Sequence, residues 1–264
     1  ENIDKLNGLG VDVILPRIEE SKAKIAQTDE IVNFVIDKLT REQDLKGLNF
    51  IVTAGPSREM IDRVRFISNP STGKMGIAIA QEILSRGGKV TLIKGKSPIR
   101  APINAKIINV LSVQDFVNAL EKEMKKKKYN VLISAAALAD FMPIKKIEEK
   151  ISSENEELVI RLKSTPKLIN LARKLGEDLF IVAFKAETDF QKEQLVEKAY
   201  KRLLSANTNM IVANNVHQKD KKRGFESDTN EVFVIDEDKN VTHIQLTSKR
   251  EVANKLLTLV RRKL

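Results

Sequence analysis

Short apolar runs alternate with segments of helical apolar spacing along most of this chain, and the alternation predicts the fold. The first run, Asn-Phe-Ile-Val-Thr-Ala over 49–54, breaks at Gly55-Pro56; others cover 89–95, 105–110, 131–137, 180–184 and 210–214. The run 131–137 carries no charge, as strands buried on both faces of a parallel sheet do. Between the runs, apolar residues recur at helical spacing over about 77–86 and over 112–126, 166–175 and 191–204. Ser112 and Asp115 stand at capping-box separation. Strand and helix in alternation predict an α/β fold, a Rossmann-like doubly wound and mainly parallel sheet. Ligands of such sheets bind outside the carboxyl ends of the strands.

Three stretches fall outside this rhythm. At the start, an apolar piece over 11–16 is stopped by Pro16, and Ile31, Val32, Val35 and Ile36 predict a helix over 28–38, with Thr28 or Asp29 as its N-cap. A polar linker over 40–47 follows. At the end, runs over 231–236 and 241–246 flank a polar turn and predict an antiparallel hairpin. A last helix over 248–264 then shows Val252, Leu256, Leu257 and Val260 on one face. Between 141 and 165 the alternation lapses. Lys145, Lys146, Lys150 and a hairpin candidate over 158–163 suggest either a lysine-bearing flap over the site or a plain surface loop.

Composition narrows the chemistry. The 264 residues carry a net charge of +10, which suits an anionic partner, either nucleic acid or a phosphorylated small molecule. Aromatic residues make up 5%, with no Trp and 2 Tyr, so stacking platforms for single strands are scarce. The lysine run 125–128 sits where a helix ends and reads as a solvated terminus. Having no Cys excludes disulfides, zinc–thiolate sites and a cysteine nucleophile. With His217 and His243 as the only histidines, a histidine metal centre or a Ser-His-Asp triad is poorly supplied. Neither a signal peptide nor a long apolar span is present in the sequence, so a cytoplasmic location is expected. The chain opens on Glu1 rather than Met, so a fragment or processed chain is expected.

Four stretches hold candidate chemistry. After the first strand come Gly55-Pro56-Ser57-Arg58 and then 67–76, with Ser71, Gly73 and Lys74 leading into a helix. Free N–H groups and the helix dipole favour phosphate there; a solvated strand-to-helix connection is the alternative. Gly73-Lys74 is not a P-loop, because Ser68 and Met75 stand where a glycine and a hydroxyl are required. Gly55 does not open a Gly-x-Gly-x-x-Gly fingerprint either. In Ser134-Ala135-Ala136-Ala137-Leu138-Ala139-Asp140, tiny side chains would let a ligand reach the backbone, and Asp140 could accept an amino group or hold a cation. A buried strand with a solvated Asp fits those residues equally. Phe184 suits a nucleobase or the core, and Lys198 and Arg202, one helical turn apart, suit a phosphate clamp or a solvated face.

In this order the motifs resemble the phosphopantothenoylcysteine synthetase family, the second activity of the bifunctional coenzyme A biosynthesis protein. The resemblance covers about 47–264. It rests on Thr-Ala-Gly-Pro-Ser-Arg-Glu (53–59), Arg-Phe-Ile-Ser-Asn (65–69), Ser-Thr-Gly-Lys-Met-Gly (71–76) and Ala-Ala-Ala-Leu-Ala-Asp-Phe (135–141). Glu-Lys-Ile (149–151), Phe-Lys-Ala-Glu-Thr (184–188), Val-Ala-Asn-Asn-Val (212–216) and Gly-Phe-Glu-Ser-Asp-Thr-Asn (224–230) complete it. It implies that 1–46 are the tail of a flavin-containing decarboxylase half plus a linker helix, and 47–264 the synthetase domain. FMN would belong only to the decarboxylase half, whose body this chain lacks.

The implied reaction is ligation of 4′-phosphopantothenate with cysteine, driven by CTP through an acyl-cytidylate, giving CMP and pyrophosphate. By the resemblance Asn69 would hold the pantothenate amide region and support the acyl-cytidylate, while Arg65 and Ala137 handle substrate. Lys150 would be the flap lysine that reaches the triphosphate. Ser134, Ala135, Ala136, Asp140, Pro166, Lys167, Leu168, Ile169, Phe184, Lys198 and Arg202 would form the nucleotide site. Gly55, Ser71 and Gly73 would cradle phosphate. Magnesium would bridge the triphosphate near Asp140, and the protein would be a homodimer with its site near the interface. Three positions depart from the family pattern: Lys167 replaces a carboxylate, Ser152 and Ser153 replace two flap lysines, and Arg202 replaces a lysine. CTP is inferred from bacterial-type motifs, with ATP the alternative. The rival functions are an NADP-dependent Rossmann-like oxidoreductase, motivated by the strand–loop–helix start, and a basic nucleic-acid-binding module, motivated by the net charge.

Overall fold

Strands whose side chains are apolar on both faces are stable only when helices cover both faces of their sheet, and the chain is arranged to supply them. The computed structural model describes residues 2–8, 11, 13–14, 16–19, 22–28, 31–32, 34–35, 42–126, 128–152, 157–188, 190–216 and 227–264. It divides into two units, Glu1–Gln43 and Asp44–Leu264. The first holds helix α1 (Asn2–Gly8) and a hairpin of β1 (Arg17–Glu19) with β2 (Lys22–Lys24). Of the helix expected over 28–38, Thr28, Ile31, Val32, Phe34 and Val35 are helical and the remainder lies outside the described residues.

In the second unit, β3 (Asn49–Ala54) runs parallel to β6 (Lys89–Lys94), and β6 to β7 (Lys106–Asn109). The chain then crosses back to β8 (Val131–Ser134) on the other side of β3, and continues outward through β11 (Phe180–Glu187) and β12 (Met210–Asn215). Two antiparallel strands, β13 (Thr229–Asp236) and β14 (Val241–Ser248), extend that edge. The order is therefore β14-β13-β12-β11-β8-β3-β6-β7, and it reverses direction between β3 and β8. That switch point opens a crevice at the strand carboxyl ends.

Alternate residues of each strand feed opposite cores. Phe50, Val52 and Ala54 of β3 pack with α2 (Lys74–Ser85) and α6 (Lys249–Lys263), whereas Ile51 packs with α3 (Val113–Lys126) and α4 (Leu168–Leu175). A third core joins α5 (Lys192–Ala206) to Ile211, Ala213, Phe233 and Ile235. The expected cap at Ser112 forms, and Ser248 supplies another. Ser112 Oγ accepts from the Asp115 N–H at 3.2 Å while Asp115 Oδ2 accepts from the Ser112 N–H at 2.9 Å. Ser248 Oγ accepts from the Glu251 N–H at 3.1 Å.

Three local features differ from expectation. Helix α2 begins at Lys74, ahead of the expected 77, because Gly73 turns the chain at φ 79. The loop region 55–73 contains a small antiparallel pair, β4 (Arg58–Met60) with β5 (Phe66–Ser68). Glu59 of β4 is buried and accepts from the Val113 N–H at 2.8 Å, so a charged strand residue caps α3 from outside. The excursion between 141 and 165 is closed by β9 (Phe141–Pro143) pairing with β10 (Leu162–Ser164), slightly beyond the hairpin expected over 158–163. Among the described residues no helix is long and apolar enough to cross a membrane.

Candidate active site

The loops that leave β3 and β8 continue side by side past the end of the sheet. The Ala137 N–H donates to the Gly55 carbonyl at 3.0 Å, and the Ser57 N–H donates back to the Ala137 carbonyl at 3.3 Å. Thr53 Oγ1 accepts from the Ala136 N–H at 3.1 Å and Ser57 Oγ from the Ala139 N–H at 3.0 Å. Such closeness requires the tiny side chains of 135–137. Asn69 joins the same seam: its Nδ2 donates to the Leu138 carbonyl at 3.0 Å and to the Ala137 carbonyl at 3.4 Å. The Asn69 carbonyl also accepts from the Ser71 N–H at 2.8 Å, and Ser71 Oγ from the Gly73 N–H at 3.3 Å. Gly73 has no room for a Cβ, which would meet the Gly55 nitrogen at 2.9 Å. The glycine thus sets the first turn of α2 directly against the β3 loop.

Together these loops wall a crevice of about 430 Å³, lined also by 165–169, by 183–186 at the end of β11, and by Arg202, Asn214, Asn230 and Lys249. Of the expected residues, Asn69, Ser71, Gly73, Ser134, Ala135, Ala136, Ala137, Asp140, Pro166, Lys167, Leu168, Ile169, Phe184 and Arg202 meet on its walls. Gly55 stands behind them, its φ of 81 allowing the loop crossing. The remaining three lie off the lining. Lys198 pairs with Glu187 Oε2 at 2.9 Å and lies over the Phe190 ring. Against the cost of burial, Lys185 and Lys198 hold the Glu187 carboxyl below its ordinary range. Lys150 is exposed. Arg65 Nη1 donates to Asp62 Oδ2 at 2.8 Å and to the Ile151 carbonyl at 3.0 Å.

Asp62 was not legible in the sequence, yet it ties down the segment around Lys150. Its fully buried carboxylate accepts from the backbone N–H groups of Val64, Arg65 and Ile151 at 2.7, 2.6 and 3.1 Å. The Arg65 N–H, chief among these donors, helps push the Asp62 carboxyl down to about 2 despite burial. A second tie runs from the Ile147 N–H to the Ile61 carbonyl at 2.9 Å. The segment bearing Lys150 is therefore docked on the β4–β5 turn.

The opposite wall holds two residues that the sequence reading gave no site role. Asn214 and Lys249 are 8% and 5% exposed although both line the crevice. Burial, and next the neighbouring Lys74, push Lys249 down to about 8, against the attraction of Asp228. Lys74 Nζ itself pairs with Asp228 Oδ1 at 2.7 Å. Asn214 carries a signal in hindsight, since a polar pair, Asn214-Asn215, ends an otherwise apolar strand.

The expected magnesium ion near Asp140 finds no protein cage. Lys167 Nζ occupies Asp140 Oδ1 at 2.6 Å, and among the described residues no group of three or more His, Cys, Asp or Glu could hold a metal. An ammonium against Asp140, the one carboxylate of the crevice wall among the described residues, disfavours a second cation there.

A family model described as the DNA/pantothenate metabolism flavoprotein C-terminal domain matches residues 45–264. Among curated proteins, the coenzyme A biosynthesis bifunctional protein CoaBC of Thermococcus kodakarensis is 42% identical over 97% of this chain and 61% of its own length. The protein of the same name from Methanocaldococcus jannaschii is 35% identical over 99% of this chain and 62% of its own. The chain thus spans about three-fifths of the relatives it matches. Among solved structures, the C-terminal domain of a coenzyme A biosynthesis bifunctional protein CoaBC superposes with a TM-score of 0.69 at 30% identity, over 84% of this chain and 98% of that one.

Proposed function

The chain belongs to the family of DNA/pantothenate metabolism flavoprotein C-terminal domains, and from that premise we propose that its crevice ligates 4′-phosphopantothenate to cysteine. The energy comes from CTP. The substrate carboxylate attacks the α-phosphorus, pyrophosphate leaves, and the resulting acyl-cytidylate is opened at its acyl carbon by the cysteine amine, releasing CMP. A free carboxylate is a poor electrophile, and the nucleotide supplies the leaving group it lacks. No protein nucleophile takes part, in keeping with a chain that has no Cys. Positioning and charge neutralisation carry the rate.

The observation that carries this reading is the seam at the switch point. Asn69, Ala137 and the Gly73 turn meet on one crevice with Ser134–Ala136, Asp140 and Phe184, which joins a phosphate cradle to a nucleotide wall. In this reading Phe184 and the backbone of 134–136 take the base, Arg202 and Lys167 attend the nucleotide, and the Gly55–Gly73 turn receives phosphate. Asn69 holds the pantothenate amide beside the acyl carbon. Lys150 swings in from the flap while Asp62 and Arg65 hold its base. Magnesium, when present, would come as part of the nucleotide's own phosphate complex rather than in a protein cage. Residues 1–46 are taken as the decarboxylase tail and linker, FMN as confined to that other half, and the assembly as a cytoplasmic homodimer. Exposed Val64 and Phe66 beside Arg65 support an interface at the β4–β5 pair.

The test is product formation. With 4′-phosphopantothenate, cysteine and CTP, mass spectrometry is expected to show phosphopantothenoylcysteine and CMP in equal amounts. Product with ATP alone would retain the ligation and overturn the nucleotide assignment; none with either would overturn the function.

A further inference from the structure

We propose that Lys249, with Lys74 and Asn214 beside it, receives a phosphoryl group of the substrates on the wall of the crevice formed by α2, α6 and the end of β12. The inference rests on the ligase reading only for the identity of those substrates.

Three features converge there. Lys249, the first residue of α6, is buried to 5% exposure, yet it lines the crevice. Its Nζ donates to the Ser227 carbonyl, and its N–H donates to the Asp228 carbonyl at 2.9 Å. These bonds hold the side chain at the crevice wall. Lys74, in the first turn of α2, lines the same crevice and shares Asp228 through a 2.7 Å ion pair. The Asn214 carboxamide is 8% exposed and lines the crevice. An ammonium withdrawn from water is costly. An anion with several oxygens could meet Lys249, Lys74 and the Asn214 amide together.

A titration follows from the same geometry. Among the described residues, the charged groups acting on Lys249 include Lys74 from α2, which disfavours its proton, and Asp228 ahead of β13, which favours it. Burial is the larger influence, and the ammonium loses its proton near pH 8. A bound phosphoryl group would raise that value. Binding above pH 8 therefore takes up a proton, and affinity falls as pH rises through 8. An arginine at this position would keep its charge throughout.

Calorimetric titration of the intact chain tests the proposal without turnover. Inorganic pyrophosphate probes the nucleotide's polyphosphate, and 4′-phosphopantothenate probes the phosphomonoester. Lys249→Met is expected to weaken at least one probe by about tenfold or more, with the thermal midpoint held or raised. The weakened probe identifies the source of the phosphoryl group. Lys249→Arg guards against misfolding of the first variant. It is expected to keep affinity within about threefold and to lose the decline between pH 8 and 9. Unchanged affinity for both probes in a folded Lys249→Met, the same pH decline in Lys249→Arg, or no binding of either probe by the unaltered chain would overturn it. Loss of probe binding in a chain that makes no ligation product would instead retain the anion site and remove the ligase reading.

Discussion

Lys167 donates to the Asp140 carboxylate at 2.6 Å, across a sequence separation of 27. Both side chains are well exposed, at 43% and 76%, so the pair adds at most about 1 kcal/mol to stability. Its consequence is chemical. An ammonium stands beside the carboxylate near which magnesium was expected.

Replacing that ammonium is expected to change metal affinity. Lys167→Asp sets a second carboxylate beside Asp140, and magnesium binding by the nucleotide-free chain should tighten by about tenfold or more. Calorimetry reads this directly. Equal, measurable magnesium affinity in both chains would mean that Lys167 does not guard the position.

The Asp62 carboxylate gives a stability prediction with a defined pH window. Its folded value, about 2, lies below the ordinary 3.8. Ionised Asp62 therefore stabilises the fold above about pH 4, and that contribution is lost as pH falls through 2. Asp62→Asn should lower the thermal midpoint at pH 7, with the gap to the unaltered chain closing as pH falls toward 2. It also removes an acceptor from the Ile151 N–H, so proteolysis within 144–152 should quicken. A pH-independent gap would place the destabilisation elsewhere.

Gly76 marks where α2 crosses β3. A Cβ there would meet Ala54 Cβ at 2.7 Å and the Thr53 carbonyl oxygen at 2.8 Å. Gly76→Ala is expected to cost about 1–3 kcal/mol of overpacking strain, read by urea denaturation. A neutral or stabilising effect would mean that the helix shifts freely.

How much of this was written in the sequence depends on what each residue's neighbours must be. The buried strands β3, β8 and β12 were legible because parallel sheets demand apolar runs, and the cap at Ser112 because capping is local. The small-residue stretch 135–137 was expected to let a ligand reach the backbone; what the structure brings against it is the loop after β3 and Asn69. The β4–β5 pair was not legible. Its strands are three residues long and one carries Glu59, whose burial is balanced by the N-terminus of α3, far along the chain. Asp62 and Lys249 were hidden for the same reason, since a charge is tolerated inside only through partners that the fold assembles. Lys167 stood out as a departure, but its partner became visible only when the loop after β8 met the start of α4.

In the proposed reaction Asn69 bridges the two reacting regions, and its loss should be felt in catalysis more than in folding. Asn69→Asp replaces an N–H donor by a carboxylate facing the Ala137 and Leu138 carbonyls. The turnover number for ligation is expected to fall by about a hundredfold or more, roughly 2.7 kcal/mol. Asn69 is half-buried at the crevice, so the thermal midpoint should move little. A large drop in thermal midpoint with turnover per folded molecule preserved would make Asn69 structural.

The central claim is that the crevice activates a carboxylate as an acyl-nucleotidylate, a mixed anhydride, before cysteine enters. Incubating the chain with 4′-phosphopantothenate and CTP while withholding cysteine, and following pyrophosphate, tests it directly. A burst on the order of one equivalent per chain, followed by steady turnover once cysteine is added, is the predicted result. Pyrophosphate that appears only when cysteine is present from the start would contradict it.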